Sequence, residues 1–304
     1  MSKILVLLSS YNGEKYLGEQ LDSLVSQTGV HITILVRDDG STDGTRELLE
    51  KYQEKFPGKI IVDLADNVGC TGSFFALMKL AAEKYGDFDY YAFSDQDDVW
   101  LPDKLKVAAS ALDSIENHIK LYYCNPQLVD SNLKPLHSTP LIAKRSLEEA
   151  FILQPCIGCS MVFSKDLLNK ASMINPNKTD IHDTWTYRVC LSLGGEIVFD
   201  HNALILYRQH SSNVIGRSQG FKTKWQRRLK KFFSTYRFRS GQAQLLLDTY
   251  DEEIPDRERE ILSTISNYHD CFGQKLKIIF DKNYSSNYRT HNLMFKIAIL
   301  FGKI

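Results

Sequence analysis

Tyr90-Tyr91-Ala92-Phe93-Ser94-Asp95-Gln96-Asp97-Asp98-Val99-Trp100-Leu101-Pro102 is the stretch from which the fold is read. Tyr90 to Ser94 is rich in aromatics and reads as a buried strand; three carboxylates then arrive within four positions. Side chains at i and i+2 of an extended segment point the same way, so Asp95 and Asp97 are expected to converge just past the strand end. Adjacent carboxylates repel unless a proton or a cation separates them, and hard oxygen ligands suit Mg²⁺ or Mn²⁺. A divalent ion at a strand end suggests chemistry on phosphates. The plainer reading is a polar turn before a helix, with Asp103 capping Lys104-Leu105.

Outward from this stretch, the first hundred residues alternate strand and helix patterns. Ile4 to Leu8 is a continuous apolar run suited to a central parallel strand. An amphipathic helix follows, with Tyr16, Leu17, Leu21, Leu24 and Val25 on one face. Ile32 to Val36 reads as a second strand, Arg46 to Lys55 as a helix, Ile60 to Leu64 as a third strand, and the region around Phe74 to Ala82 as a helix. The pattern is that of a wound α/β sheet, in which ligands sit beyond the carboxyl ends of the strands. All four early strands end there in polar, turn-forming sequence. The middle segment reads as a helix from Lys104 to Ile115, short strands at 121–123, 127–129, 160–163, 197–199 and 204–207, and a helix from His182 to about Leu193. From about residue 215 the composition changes, which divides the chain into 1–214 and a helical appendage over 215–304.

The bulk numbers narrow the function classes. The chain has 304 residues with 37 basic and 37 acidic side chains, so no global field draws it to nucleic acid or membrane. Six cysteines are scattered through it. Cys156-Ile157-Gly158-Cys159 has no second pair to complete a zinc site, and an apolar strand pattern rather than a helix follows it. Buried thiols in a reducing compartment fit this arrangement. Lys3 to Leu8 is too short an apolar run for a signal peptide, and no window reaches the roughly 18 apolar residues of a membrane span. The expectation is a cytoplasmic protein.

Three motifs in order then acquire a family context. Ser9-Ser10-Tyr11-Asn12 after the first strand, Asp38-Asp39-Gly40-Ser41-Thr42-Asp43-Gly44-Thr45 after the second, and Asp95-Gln96-Asp97-Asp98 after the fourth resemble the inverting family-two glycosyltransferases of GT-A fold. The resemblance covers roughly residues 3 to 210. His182-Asp183-Thr184-Trp185 and Tyr207-Arg208-Gln209-His210, with the Phe93 to Trp100 segment, are similar to bacterial rhamnosyltransferase-type members, which build cell-wall or capsular polysaccharides. This implies a Rossmann-like, wound mixed sheet and a nucleotide-sugar donor. It also implies Mg²⁺ or Mn²⁺ on the diphosphate, bound directly by Asp97, with Asp95 nearer the ribose and the ion's water shell. His210 matches a further metal ligand, and Asp98 supports the turn. Asp39, with Asp38 beside it, matches the carboxylate that accepts from the pyrimidine N3–H; Ser9 and Tyr11 match nucleoside contacts. Asn67 and Gly69 lie in a loop beside the nucleotide, and Gly69 would permit close backbone approach. Inversion needs a base opposite the leaving group. Asp183 matches that base, although it could equally cap the helix it opens. Gly158, Cys159 and Trp185 are implied at the sugar pocket.

The donor best matching the motifs is dTDP-rhamnose, with UDP-glucose, UDP-galactose or an N-acetylhexosamine donor behind it. The acceptor expected is a hydroxyl of a cell-wall, capsular or lipid-linked glycan. Arg217 to Arg239 holds nine basic residues and no acid, interleaved with aromatics. Nucleic-acid binding fits such a segment, yet nothing else in the chain supports it. Docking on the anionic inner leaflet of the cell membrane fits better. The apolar tail, Leu293 to Phe301, would add to that contact or pack against the appendage or another subunit. A processive synthase would need membrane spans and Gln-x-x-Arg-Trp; Trp225-Gln226-Arg227-Arg228 has the letters in another order. A non-catalytic glycan-binding scaffold would be expected to have lost part of the acidic turn, Asp183 or His210. No G-x-G-x-x-G follows strand one, which argues against a nicotinamide dehydrogenase.

Overall fold

The computed structural model describes residues 1–137, 142–175, 178–179, 181–210, 238–270 and 272–304. An eight-stranded mixed sheet runs β3-β2-β1-β4-β7-β6-β8-β5. Its strands are β1 (Lys3–Ser10), β2 (His31–Asp39), β3 (Ile60–Ala65), β4 (Tyr90–Ser94), β5 (Val99–Trp100), β6 (Lys120–Val129), β7 (Met161–Ser164) and β8 (Glu196–Arg208). β1 pairs in parallel with β2 and β4, and β2 with β3. β7 lies antiparallel between β4 and β6.

The sheet is covered by α1 (Leu17–Val25), α2 (Thr45–Lys55), α3 (Gly69–Lys84), α4 (Lys104–Asp113), α6 (Lys165–Ala171) and the start of α7 (His182–Ser192), with the one-turn α5 (Leu147–Ala150) in between along the chain. Ile4 to Leu8 are fully buried, because β1 is central and covered on both faces; that is why it is apolar without alternation. Chain order reverses between β1 and β4: β2 and β3 build outward on one side, β4 on the other. This switch point opens a crevice at the carboxyl ends of β1 and β4, where the Ser9 to Asn12 turn and the acidic turn both lie.

Two irregularities separate sequence from structure. The short strands expected at 121–123 and 127–129 are one strand, β6, with register shifts against β8 at Cys124/Asn125 and Asn125/Pro126. The two expected at 197–199 and 204–207 are likewise joined in β8. A bulge keeps two strands paired across residues that interrupt the apolar pattern, so the polar interruption at Asp200 to Asn202 does not end the strand.

The chain divides into two compact units. The first comprises Met1–Pro140, Cys156–Thr186 and Gly195–His210; the second comprises Leu141–Pro155, Tyr187–Gly194 and Ser211–Ile304. Segments 141–155 and 187–194, which the division at residue 215 counts with the sheet, therefore cluster with the helical part. Within the second unit, α8 (Phe238–Tyr250) packs on α9 (Asp256–Ser266), and α10 (Phe272–Phe280) on α11 (Arg289–Leu300). Glu148 of α5 accepts from Arg257 at 3.0 Å. Of the basic segment 217–239, residues 217–237 lie outside the described residues. Among the described residues, no helix is long and apolar enough to cross a membrane.

Candidate active site

The turn after β2 is built from satisfied carboxylates. Asp38 is fully buried and accepts from the Ser41 N–H at 3.0 Å, from the Ser41 hydroxyl, and from Arg46 Nε at 2.8 Å. Burial opposes ionisation there, but the Ser41 and Arg46 hydrogen bonds outweigh it and hold Asp38 below the usual carboxylate range. Asp39 accepts from the Val68 and Gly69 N–H groups, both at 2.9 Å, and is paired with the buried Arg37 guanidinium. It thereby caps the start of α3, satisfying amides that a helix leaves without partners. Asn67 Nδ2 donates to the Asp39 carbonyl at 2.8 Å. Gly69 has φ of +77°, with no atom of the described residues within 4 Å of where a Cβ would stand, so its backbone conformation itself favours glycine.

The first turn is tied to both neighbours. Ser9 Oγ lies 2.6 Å from Ser73 Oγ of α3. Tyr11 is 48% exposed, leaving its ring face open to a ligand. The Gln96 side chain accepts from the Tyr11 N–H at 2.8 Å and donates to the Tyr11 carbonyl at 3.1 Å. Asn12 accepts from the Thr42 N–H at 2.8 Å.

The acidic turn is different. β4 ends at Ser94 and the chain bends through 95–98, so the i, i+2 convergence of an extended strand does not apply. The groups gathered within 4.8 Å of one another are Asp95, Asp98 and Cys159. Asp97 instead meets His210 Nε2 at 2.8 Å. Asp98 is fully buried; its Oδ1 accepts from the Arg208 N–H at 3.1 Å. Its Oδ2 has no conventional donor among the described residues and only the Cys159 thiol close by. Burial, with Asp97 and Asp183 nearby, pushes Asp95 up to about 7. Burial with Asp97 and Asp95 raises Asp98 well above the carboxylate range. The Cys70 thiol, in the first turn of α3, is pushed up to about 12 by desolvation and then by Asp95, Asp183, Asp39 and Asp97. Carboxylates from three segments thus act on one spot.

This donor set fits a divalent cation. Oxygen ligands and a neutral imidazole are what Mg²⁺ or Mn²⁺ takes, and an under-satisfied buried carboxylate oxygen is what an ion would relieve. Positive charge within the protein is close but restrained. Lys104 is fully buried, its Nζ 3.2 Å from the Trp100 ring centroid, and burial lowers it to about 8. Asp103 occupies the N-cap position of α4 but makes no side-chain cap; it accepts from the Thr28 hydroxyl at 2.7 Å instead.

Asp183 opens α7 and is 5% exposed. Its Oδ2 accepts from the Gly158 N–H at 3.1 Å and its Oδ1 from the Thr184 N–H at 2.6 Å. Gly158 is required by close approach: a Cβ there would stand 2.7 Å from His182 Nε2. His182 is stacked on Phe74 at 3.8 Å and set edge-on to Phe93 at 4.7 Å. Among the described residues neither ring nitrogen has a hydrogen-bond partner, and burial pushes the imidazole down to about 3, keeping it neutral. Cys159 is fully buried beside the acid cluster. Trp185 is fully buried too and donates its indole N–H to the Ala171 carbonyl at 3.1 Å. It holds α7 against α6 and has no exposed surface to offer a sugar.

The supports of the acidic turn were not visible in the motifs. Arg208, 1% exposed, donates to Glu19 at 2.5 Å, to the Asp97 carbonyl at 2.8 Å and to the Ser131 carbonyl at 2.7 Å. Its guanidinium lies 4.4 Å from the Tyr16 ring centroid, and Tyr16 packs on His210 at 4.9 Å. From α1, Gln20 donates to Ser94 Oγ at 2.7 Å and Ser23 Oγ accepts from the Trp100 N–H at 3.1 Å. Gln20 and Ser23 sit one turn apart on a helix whose apolar face alone reads as buried; only their spacing on a second stripe hinted at this.

Comparison with known proteins agrees with this architecture. Residues 5–171 match the family model for glycosyl transferase family 2. The dTDP-rhamnosyl transferase RfbG of Shigella flexneri is 32% identical over 232 residues, covering 72% of this chain and 77% of that protein. The Escherichia coli enzyme named UDP-Glc:alpha-D-GlcNAc-diphosphoundecaprenol beta-1,3-glucosyltransferase WfgD is 27% identical over 179 residues, 58% of this chain and 66% of that protein. Staphylococcus aureus TarS, solved with UDP-GlcNAc, aligns with a TM-score of 0.60 at 19% identity, over 99% of this chain and 82% of that one. The Pyrobaculum calidifontis mannosyltransferase PcManGT, solved with GDP-Man and Mn²⁺, aligns at 0.56 with 14% identity, over 99% and 87%. The structural likenesses establish the GT-A fold. With its sheet, its strand-end turns and more than half of its length matched, the chain belongs to glycosyl transferase family 2.

Proposed function

We propose that this glycosyltransferase moves a sugar, L-rhamnose from dTDP-rhamnose, onto a hydroxyl of a cell-wall, capsular or lipid-linked glycan with inversion and by a single displacement. The observation that carries the reading is the pairing of Asp97 with His210 at 2.8 Å, across 113 residues of chain, beside the Asp95 and Asp98 cluster. Asp97 and His210 would hold Mg²⁺ or Mn²⁺, with Asp95 on its water shell and ribose side; the ion supplies Lewis-acid stabilisation of the departing diphosphate. Tyr11 and Ser9 receive the nucleoside, with its base on the exposed Tyr11 ring. Asp39, with Asp38 beside it, takes the pyrimidine N3–H through the Oδ2 lone pair left after binding Arg37 and the Val68 and Gly69 amides. Asn67 and Gly69 shape the loop alongside, and Gly158 and Cys159, buried like Trp185, support the sugar side from beneath.

Asp183 removes the proton of the acceptor hydroxyl as that oxygen bonds to the anomeric carbon, and the nucleoside diphosphate leaves with the electron pair of the broken C–O bond. The Gly158 and Thr184 N–H groups orient the carboxylate and leave lone pairs for the proton. The dTDP-rhamnose assignment draws on RfbG. A UDP-hexose or UDP-N-acetylhexosamine donor is the second reading, favoured by the names of WfgD and the TarS complex. A lipid-linked acceptor accords with WfgD's diphosphoundecaprenol substrate and with a cytoplasmic enzyme held at the inner membrane face through the basic segment 217–239. The 1–214 portion then carries the chemistry, and the segment 217–239 within the 215–304 appendage the docking.

Hydrolysis and thermal shift against a panel of sugar nucleotides with Mn²⁺ tests the donor; a response to UDP-sugars alone would replace rhamnose. Asp183→Asn tests the base. Donor affinity should be unchanged while turnover falls by about 10²- to 10⁴-fold, and wild-type turnover would reduce Asp183 to a helix cap.

A further inference from the structure

α10 and α11 of the second unit each carry two apolar faces. On α10, Ile278 is buried, whereas Phe272 and Phe280 are 67% and 78% exposed and Leu276 between them is half-buried. Steps of four residues drift by about 40° around a helix, so Phe272, Leu276 and Phe280 form one stripe, with Ile278 on the opposite side. On α11, Phe295, Ala298 and Ile299 are buried. Leu293, Leu300 and Phe301 are 60%, 49% and 70% exposed, and Ile297 completes their stripe at i+4. The inward faces account for folding; the outward stripes do not. Lys275 Nζ donates to the Leu300 carbonyl at 3.4 Å, which brings the turn after Phe272 to the end of α11 that bears Leu300 and Phe301. Single exposed apolar residues are ordinary, but stripes gathered on two packed helices mark a contact surface.

The surrounding charge identifies the partner. Residues 272–304 contain Lys275, Lys277, Lys282, Arg289, Lys296 and Lys303 against one acid, Asp281; Lys277 is additionally engaged by Glu260 at 3.2 Å. Apolar stripes carried on a segment this rich in lysine and arginine are complementary to an anionic bilayer, where aromatic and aliphatic side chains enter the headgroup boundary and cations meet lipid phosphates. At 12 residues, α11 reaches about 18 Å, too short for the roughly 30 Å hydrocarbon core, so these helices would lie in the membrane plane. We propose that the outward faces of α10 and α11 form a docking surface for anionic phospholipid, separate in sequence from the basic segment 217–239. This surface stands on exposure and charge and does not depend on which sugar is transferred.

The test is co-sedimentation of the full chain, without sugar nucleotide, with vesicles of pure phosphatidylcholine or of phosphatidylcholine with phosphatidylglycerol. Binding to the anionic vesicles should be at least tenfold tighter and should weaken with salt. The exposed-face variant F272S/F280S/L293S/F301S should lose at least tenfold of that affinity with its melting temperature and sugar-nucleotide hydrolysis retained. K282E/R289E/K296E should remove the preference for anionic lipid. The proposal is overturned by equal binding to both vesicle types. It is equally overturned if the exposed-face variant binds like wild type while neutralising the basic residues of 217–237 abolishes binding. Light scattering supplies a third contradiction: a dimer that the same serine substitutions disperse would make a second copy of the chain the occupant.

Discussion

Two acidic turns flank the central strand, one after β2 and one after β4, and they differ in how their carboxylates are satisfied. In the first, Asp38 and Asp39 are supplied with donors by Ser41, Arg46, Arg37 and the Val68 and Gly69 amides. In the second, Asp95 and Asp98 are crowded together with few donors, and their acidities shift upward. The residue types and the strand-end positions match; the supply of positive partners does not. A carboxylate with its donors in place is scaffold that can still receive a ligand through a spare lone pair. A buried carboxylate without them stores an electrostatic cost that a cation relieves.

Substitutions should separate the two turns. Asp39→Ala would leave the buried Arg37 uncompensated and strip the start of α3 of its cap, costing about 3–5 kcal/mol; urea unfolding without metal measures it. A loss below about 1 kcal/mol would erase the contrast. His182 sharpens the comparison with a buried imidazole that has no hydrogen-bond partner among the described residues. Its ionisation is depressed to about 3 from about 6.5 in the unfolded chain. The native state therefore binds fewer protons between those limits, and the stability it contributes is present above pH 6.5 and lost as pH falls. His182→Phe should remove a slope approaching about 1.4 kcal/mol per pH unit between pH 6 and 4. Asp95, raised to about 7, contributes the opposite slope from about pH 4 to 7 in both proteins, so the wild-type minus variant difference isolates the histidine. A pH-independent difference would mean that His182 is solvated.

Asp98→Asn should have the smallest effect. Burial with Asp97 and Asp95 raises the wild-type carboxyl well above its usual range, which disfavours its charged form, so the neutral amide should change metal-free stability by less than about 1 kcal/mol. Its consequence should appear only with the ion: the thermal stabilisation given by Mn²⁺ should shrink. A large metal-free loss would place Asp98 with Asp38 and Asp39 as scaffold.

Much of this organisation could be read from particular residues. Ile4 to Leu8 and Tyr90 to Ser94 are apolar because both faces of their strands are covered, and that pattern survives without knowledge of tertiary contacts. The positions of the strand-end motifs followed from it. The internal geometry of the acidic turn did not: past the bend after Ser94, Asp98 gathers with Asp95 and Cys159, while Asp97 pairs with His210. Arg208, Gln20 and Ser23 were illegible as supports because a polar side chain on a helix or strand end reads as solvated until its partner is known. Trp185, a plausible sugar platform by motif, is spent in the core on the Ala171 carbonyl. The outward stripes of α10 and α11 were half visible: the apolar tail stood out, but periodicity does not say which of two apolar faces is inside.

The most direct test of the central claim, that the turn after β4 anchors a metal-bound diphosphate, is calorimetry of nucleoside diphosphate binding with and without Mn²⁺ in wild type and Asp97→Ala. Wild type should bind at least tenfold tighter with the ion, a difference of about 1.4 kcal/mol or more, and Asp97→Ala should show no dependence on it. Asp97→Ala retaining the full metal-dependent affinity would contradict the account.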